Sequence, residues 1–137
     1  MIYENPCRID RMIYEEHLGG TSIFGDPDSY FPEIWDFLIE HFGVRSMFDI
    51  GCGIGFTQKF FYDKVLVADG LDGSAKVLEH HVLKNVNSLR STTVLHDLTT
   101  GPYINSYNHE YDLIWSCEVF EHIEEQYLQN ILDTVKN

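Results

Sequence analysis

The sequence predicts an α/β fold in which strands alternate with helices around a parallel sheet, and three observations carry that prediction. Short apolar runs at Ser46 to Ile50 and Val65 to Leu71 read as strands buried in a parallel sheet. The segments between such runs place their apolar residues at helical spacing. The order strand, helix, strand then repeats along the chain, which builds βαβ units and a sheet covered by helices.

Taken in order, Ile9 to His17 permits a short helix ended by Gly19-Gly20, and Phe24-Gly25-Asp26-Pro27-Asp28 reads as a turn-rich connection, so residues 1–30 form an N-terminal extension. Ile34, Trp35, Leu38 and Phe42 recur at helical spacing, with Pro32 tolerated in the first turn and Gly43 placed to end the helix. The first strand, Ser46 to Ile50, leads into a short helix with Phe56, Phe60 and Phe61 on one face, and then into the second strand, Val65 to Leu71. A helix over Ser74 to Lys84 presents Ala75, Leu78 and Val82, and the third strand is Thr92 to His96. Tyr111 to Cys117 is the fourth strand, followed by a helical pattern through Ile123, Tyr127, Leu128, Ile131, Leu132 and Val135.

The 137 residues suit one domain, and 44% hydrophobic with 23% charged residues is the usage of a chain that buries a core. Nine Lys+Arg against 22 Asp+Glu give a formal charge of -13, which repels phosphate backbones and anionic lipid and excludes an unaided nucleic-acid binder. Cys7, Cys52 and Cys117 are odd in number and lack metal-site spacing, so neither a disulfide framework nor a zinc site is expected. The N-terminus has no secretory apolar run, and no stretch has the length of a membrane span; a soluble, cytoplasmic protein is expected.

The sharpest motif is Asp49-Ile50-Gly51-Cys52-Gly53-Ile54-Gly55, where the first strand turns into its helix. Alternate glycines allow a tight turn and close ligand approach at the carboxyl end of a strand. A dinucleotide fingerprint would need its third glycine at Phe56. A carboxylate, Asp72, then closes the second strand, where it either bonds ribose hydroxyls or caps the next helix, with Ser74 the alternative cap and Asp69 the weaker ribose candidate. His96-Asp97-Leu98 follows the third strand; Asp97 is either a base-reading acceptor or an ordinary turn residue. Cys117-Glu118-Val119-Phe120-Glu121-His122 closes the fourth, with Glu118, Glu121 and His122 spaced to share a helical face.

In this order the four motifs resemble class I S-adenosylmethionine-dependent methyltransferases, with a Rossmann-like, doubly wound, mostly parallel sheet. The resemblance covers the chain from about Phe31 onward. It implies that S-adenosylmethionine is held by Asp49, Gly51, Cys52, Gly53, Gly55, Asp72, Gly73, Asp97, Leu98 and Cys117. Asp49 takes the methionine ammonium, Asp72 the ribose, and Asp97 with Leu98 the adenine. The E-V-x-E-H sequence occurs in many methyltransferases acting on small molecules, and in some RNA 2′-O-methyltransferases that use these side chains as magnesium ligands. Glu118, Glu121 and His122 are therefore weak metal candidates, set against a solvated or helix-start role. Glu121 and His122 are also the weak candidates for a general base.

Other residues have plainer readings. His80-His81 are expected to be solvated or satisfied locally, and Cys52 to sit in the turn because it is small. Tyr14, Phe24, Tyr30 and Phe31 either form a substrate lid or pack the extension onto the domain. The family's sheet has seven strands and this sequence supplies four, so the fold is expected to be incomplete, with C-terminal strands absent and the fourth strand exposed as an edge open to homodimerisation. The expected function is methyl transfer to a small-molecule acceptor; a non-catalytic cofactor-binding or interaction module and a nicotinamide-dependent oxidoreductase are the alternatives.

Overall fold

The computed structural model describes residues 12–15, 18–106 and 109–137. The elements are β1 (Met12–Glu15), β2 (Gly19–Ser22), α1 (Pro32–Phe42), β3 (Ser46–Ile50), α2 (Phe56–Asp63), β4 (Val67–Asp72), α3 (Ala75–Leu78), β5 (Thr93–Leu95), β6 (Leu113–Trp115) and α4 (Leu128–Lys136), with 3-10 turns at Pro27–Ser29, Phe120–His122 and Glu125–Tyr127. β3 to β6 form a four-stranded parallel sheet in the order β5-β4-β3-β6. This is the Rossmann-like arrangement, in which the chain winds to one side of β3 and then to the other.

All five residues of central β3 are buried, and its alternating side chains divide the core. Met47 joins Trp35, Phe61 and Ala68 beneath α1 and α2, while Phe48 and Ile50 join Leu71, Leu98 and Ile131 on the α4 side. Tyr30 and Trp115 meet Trp35 edge-on, with ring centroids 5.1 and 5.7 Å away, and Phe31 packs on Trp115. Tyr30 and Phe31 thus pack the extension onto the domain. Edge strand β6 is pinned by Asp112, whose carboxylate accepts from the Arg45 and Ser46 amides at 2.7 and 3.0 Å. The Arg45 amide is the larger of these influences and holds the carboxyl below its usual value.

Several expectations change, and the third and fourth strands are shorter than expected, Thr93–Leu95 rather than Thr92 to His96 and Leu113–Trp115 rather than Tyr111 to Cys117. Where a helix was expected over Ile9 to His17, Met12–Glu15 pairs antiparallel with Gly19–Ser22, so Gly19 and Gly20 belong to a strand; residues 9–11, 16 and 17 lie outside the described set. A helix over so few residues has an unfavourable nucleus, whereas the hairpin pairs its backbone groups directly. The helix expected over Ser74 to Lys84 ends at Leu78, and its buried side chains are Val77, His81 and Leu83 rather than Ala75 and Val82. Its backbone donors are drawn elsewhere: the Val82 amide reaches the Ile54 carbonyl at 2.8 Å and the Leu83 amide reaches His81 Nδ1 at 3.2 Å. The second strand starts at Val67 because the Val65 and Leu66 amides still bond back to the end of α2. Finally, Ile123 and Tyr127 precede α4, which begins at Leu128. No helix among the described residues is long and apolar enough to cross a membrane.

Candidate functional site

A cavity of about 470 Å³ opens at the carboxyl ends of the parallel strands, the place where open α/β sheets take ligands. Its inner wall is the glycine loop after β3, the end of β4, residues 96–99 and residues 117–119; its outer wall is the N-terminal hairpin and the turn after it, through Leu18, Thr21, Phe24 and Asp26.

The three loop glycines all have left-handed backbones, Gly51 at φ 74°, Gly53 at 56° and Gly55 at 87°, but for different reasons. A Cβ on Gly51 would lie 2.3 Å from a Val119 methyl, and one on Gly55 would lie 2.1 Å from His81 Nε2. On Gly53 it would meet, among the described residues, Thr21 Oγ1 alone, at 3.5 Å. Gly53 is therefore the glycine that gives a ligand close access to backbone, while Gly51 and Gly55 make room for protein. The amides of Gly51 and Cys52 both donate to the Leu71 carbonyl at 2.9 Å, which ties the loop to β4.

Asp72 ends β4 facing the cavity and accepts from the Gly53 amide at 3.0 Å and the Ser74 amide at 2.9 Å. The helix cap is Ser74, whose hydroxyl accepts from the Val77 amide, so capping does not account for Asp72. Asp69, the weaker candidate, faces away from the cavity lining and binds the Tyr111 hydroxyl and the Thr92 amide. Asp49 lines the cavity yet is only 3% exposed, and burial first, then the charge of Asp72, pushes its carboxyl well above the usual range. An empty cavity thus favours a neutral Asp49, and a cation placed beside it favours the carboxylate.

Asp97 accepts from the amide and hydroxyl of Thr99 at 2.9 and 2.8 Å, an Asx turn that sets the wall containing Leu98. Gly73 lies under Leu18, a methyl of which would be 2.7 Å from an added Cβ. The Cys52 thiol is buried and pushed up by that burial, so it is no nucleophile, and burial likewise raises the half-buried Cys117.

Glu118, Glu121 and His122 do not share a helical face: Glu118 has a left-handed backbone ahead of the 3-10 turn that carries the other two. They stand before Leu128, where α4 begins, and Glu121 lies instead in the first turn of the 3-10 segment Phe120–His122. Glu118 and His122 line the cavity, whereas Glu121 does not. A hydrogen bond with Glu121, and then its charge, raises the Glu118 carboxyl. Among the described residues no group of three or more His, Cys, Asp or Glu is arranged to hold a metal ion.

Of the lid candidates, Phe24 and Tyr30 line the cavity, and the Tyr14 side chain lies outside the described set; Asp26, which also lines it, and His81 were missed by sequence reasoning. His80 is solvated as expected, but His81 is buried and bonded to the distant Gln58. The turn residues Gly25-Asp26-Pro27 were a signal for the wall, since Gly25 is where Phe56 packs; nothing local pointed to His81.

A four-stranded Rossmann-like sheet with a glycine loop and carboxylates converging at its carboxyl edge defines a class, the cofactor-dependent α/β domains. Within that class the chain belongs to the methyltransferase domain family, whose model matches residues 47–137. Among solved structures it is similar to the methyltransferase domain of bacterial CtHen1, with 22% identity, a TM-score of 0.60, and 76% of this chain covering 56% of that one. It is also similar to the plantazolicin methyltransferase BpumL in complex with SAH, with 19% identity, a TM-score of 0.55, and 75% of this chain covering 40% of that one. The chain thus spans about half the length of these structures, and the likeness is one of fold. No curated protein matches it.

Proposed function

We propose that the chain binds S-adenosylmethionine and serves methyl transfer to a small-molecule acceptor. The observation that carries this is the charge of the cavity wall: Asp26, Asp49, Asp72, Asp97 and Glu118 line it, and among the described residues no Lys or Arg does. Such a wall suits a cofactor with sulfonium and ammonium centres and opposes a pyrophosphate, which argues against the nicotinamide reading. Asp49 meets the ammonium, Gly53 allows close approach, Asp72 bonds the ribose hydroxyls, and Asp97 with Leu98 flanks the adenine. The cofactor supplies an electrophilic methyl group. The protein supplies orientation and the exclusion of water, and His122, which lines the cavity, is better placed than Glu121, which does not, to take a proton from the acceptor. S-adenosylmethionine or S-adenosylhomocysteine should raise the melting temperature, and NAD should not; stabilisation by NAD alone would overturn the reading.

Replacing Asp72 by alanine removes a charged acceptor, worth about 1.5 to 3 kcal/mol or one to two decades of affinity. Calorimetry should show that loss in a folded mutant, and unchanged affinity would remove Asp72 from the ribose site. The second reading is a cofactor-binding module without an acceptor site. Binding of the cofactor with no methylation across a broad acceptor panel would select it.

The charge of -13 supports a small acceptor over a phosphate polymer, and the free thiols of Cys52 and Cys117 suit a reducing, cytoplasmic setting. Two copies are expected to associate through the β6 side, since β6 is a sheet edge carrying Leu113, Ile114 and Trp115, and Leu128, Leu132 and Val135 are exposed on α4. A twofold dimer is the simplest closed arrangement. Light scattering that shows only monomer at high concentration would sink this.

A further inference from the structure

Behind the glycine loop lies a buried polar cluster that no ligand role accounts for. Gln58, in the first turn of α2, is fully buried, and His81 is 3% exposed. The Leu83 amide donates to His81 Nδ1 at 3.2 Å, so the ring carries its hydrogen on Nε2 and donates it to Gln58 Oε1 at 2.9 Å. The Gln58 amide nitrogen in turn donates to the Ala68 carbonyl at 3.2 Å and to Thr93 Oγ1 at 3.1 Å. The network is internally satisfied and joins α2, β4 and β5, and its imidazole is neutral at physiological pH because burial lowers its pKa to about 4.

Two glycines exist to accommodate it. A Cβ on Gly70 would stand 2.7 Å from Gln58 Oε1, and one on Gly55 would stand within 2.8 Å of three atoms of the His81 ring. The imidazole therefore lies flat against the Gly55 backbone, and the adjoining Val82 amide bonds the Ile54 carbonyl at 2.8 Å. Side chain and backbone together grip residues 54 and 55, which leaves the loop one path from β3 to α2 and fixes where Gly53 meets the cavity.

We propose that His81 is a positioning residue for the cofactor loop: its ring, locked as the Nε2–H tautomer by Leu83 and Gln58, sets the left-handed Gly55 and through it the ligand-facing backbone at Gly53. The inference rests on the cofactor reading above and adds a residue that touches no ligand. It makes the third glycine of the motif a response to a histidine 26 positions later.

The test compares the affinity of the full chain for S-adenosylhomocysteine by calorimetry with ligand-free melting temperatures. His81→Leu keeps the volume but removes the donor and should weaken binding about tenfold or more, as small misplacements of a binding element do. His81→Gln can still donate to Gln58 and should recover most of that loss. Gly55→Ala forces a methyl into the ring and should bind worse than His81→Ala. The double variant Gly55→Ala/His81→Ala should bind at least about fivefold more tightly than Gly55→Ala alone, the rescue expected where the added methyl and the ring compete for one space. The double variant keeps the test decisive where His81→Leu does not fold. Tight wild-type binding with no rescue in the double variant, or His81→Leu within about twofold of wild type, would overturn this proposal alone. Wild-type chain that binds neither S-adenosylmethionine nor its product would overturn the cofactor reading and this one with it.

Discussion

Gly53→Val is expected to weaken S-adenosylmethionine binding by about a hundredfold or more, the largest effect of any single change in the glycine loop. Two physical causes combine. The added branches would stand in the space that, among the described residues, Thr21 Oγ1 alone approaches, at 3.5 Å, which is the space a ligand needs. A β-branched residue at φ 56° also adopts a region that L side chains rarely occupy, at a cost of about 1 to 3 kcal/mol. The strain acts on folding and the obstruction on binding, so the melting temperature should fall by several degrees while affinity is all but lost. Gly53→Ala should show the same strain with less obstruction. A folded Gly53→Val chain with normal affinity would mean that the ligand does not touch this loop.

Asp49→Asn should separate binding from stability in the opposite sense. The folded-state pKa of Asp49 is raised above its unfolded value, so the folded chain holds this proton more tightly. Stability from this group is therefore present at low pH, declines as pH rises above the ordinary value of 3.8, and is lost once pH passes the raised folded value. The asparagine variant lacks that decline and should gain on wild type as pH increases. It should also lose about fivefold to tenfold in cofactor affinity, because a charge-assisted hydrogen bond becomes a neutral one, a difference of about 1 to 1.5 kcal/mol. In the wild type, binding of a cation should be linked to the proton on Asp49, so affinity should fall as pH drops through the raised folded value, with calorimetric heats there that vary with buffer. A variant that binds as tightly as wild type would assign the ammonium to another group.

The central sheet was legible because its signals are local. Ser46 to Ile50 is a dense apolar run ending at a glycine, and it is a strand over those same residues. Asp72 at the end of the next strand and the turn at Asp97 were readable in the same way, from a polar residue where an apolar run stops. What stayed hidden depends on partners far away in sequence. Three glycines that look equivalent are divided among Val119, Thr21 and His81, none of them within 20 residues of its glycine in the direction the chain runs through the loop. The irregular path from Glu79 to Leu83 is likewise set by Ile54 and Gln58, which no periodicity within residues 74–84 encodes. The hairpin was missed because its four-residue strands are too short to show a period.

The hairpin of β1 and β2 forms a sheet of its own and shares no ladder with the four parallel strands. Among the described residues its links to the domain include side-chain contacts, Leu18 against Gly73 and, just beyond the hairpin, Phe56 against Gly25. Opening the cavity therefore breaks none of the hydrogen bonds that hold the central sheet, and the free energy of exposing the site is distinct from the free energy of unfolding. Substitutions at the hairpin contacts can alter the rates of ligand entry and exit while global stability stays fixed by Trp35, Met47 and their neighbours.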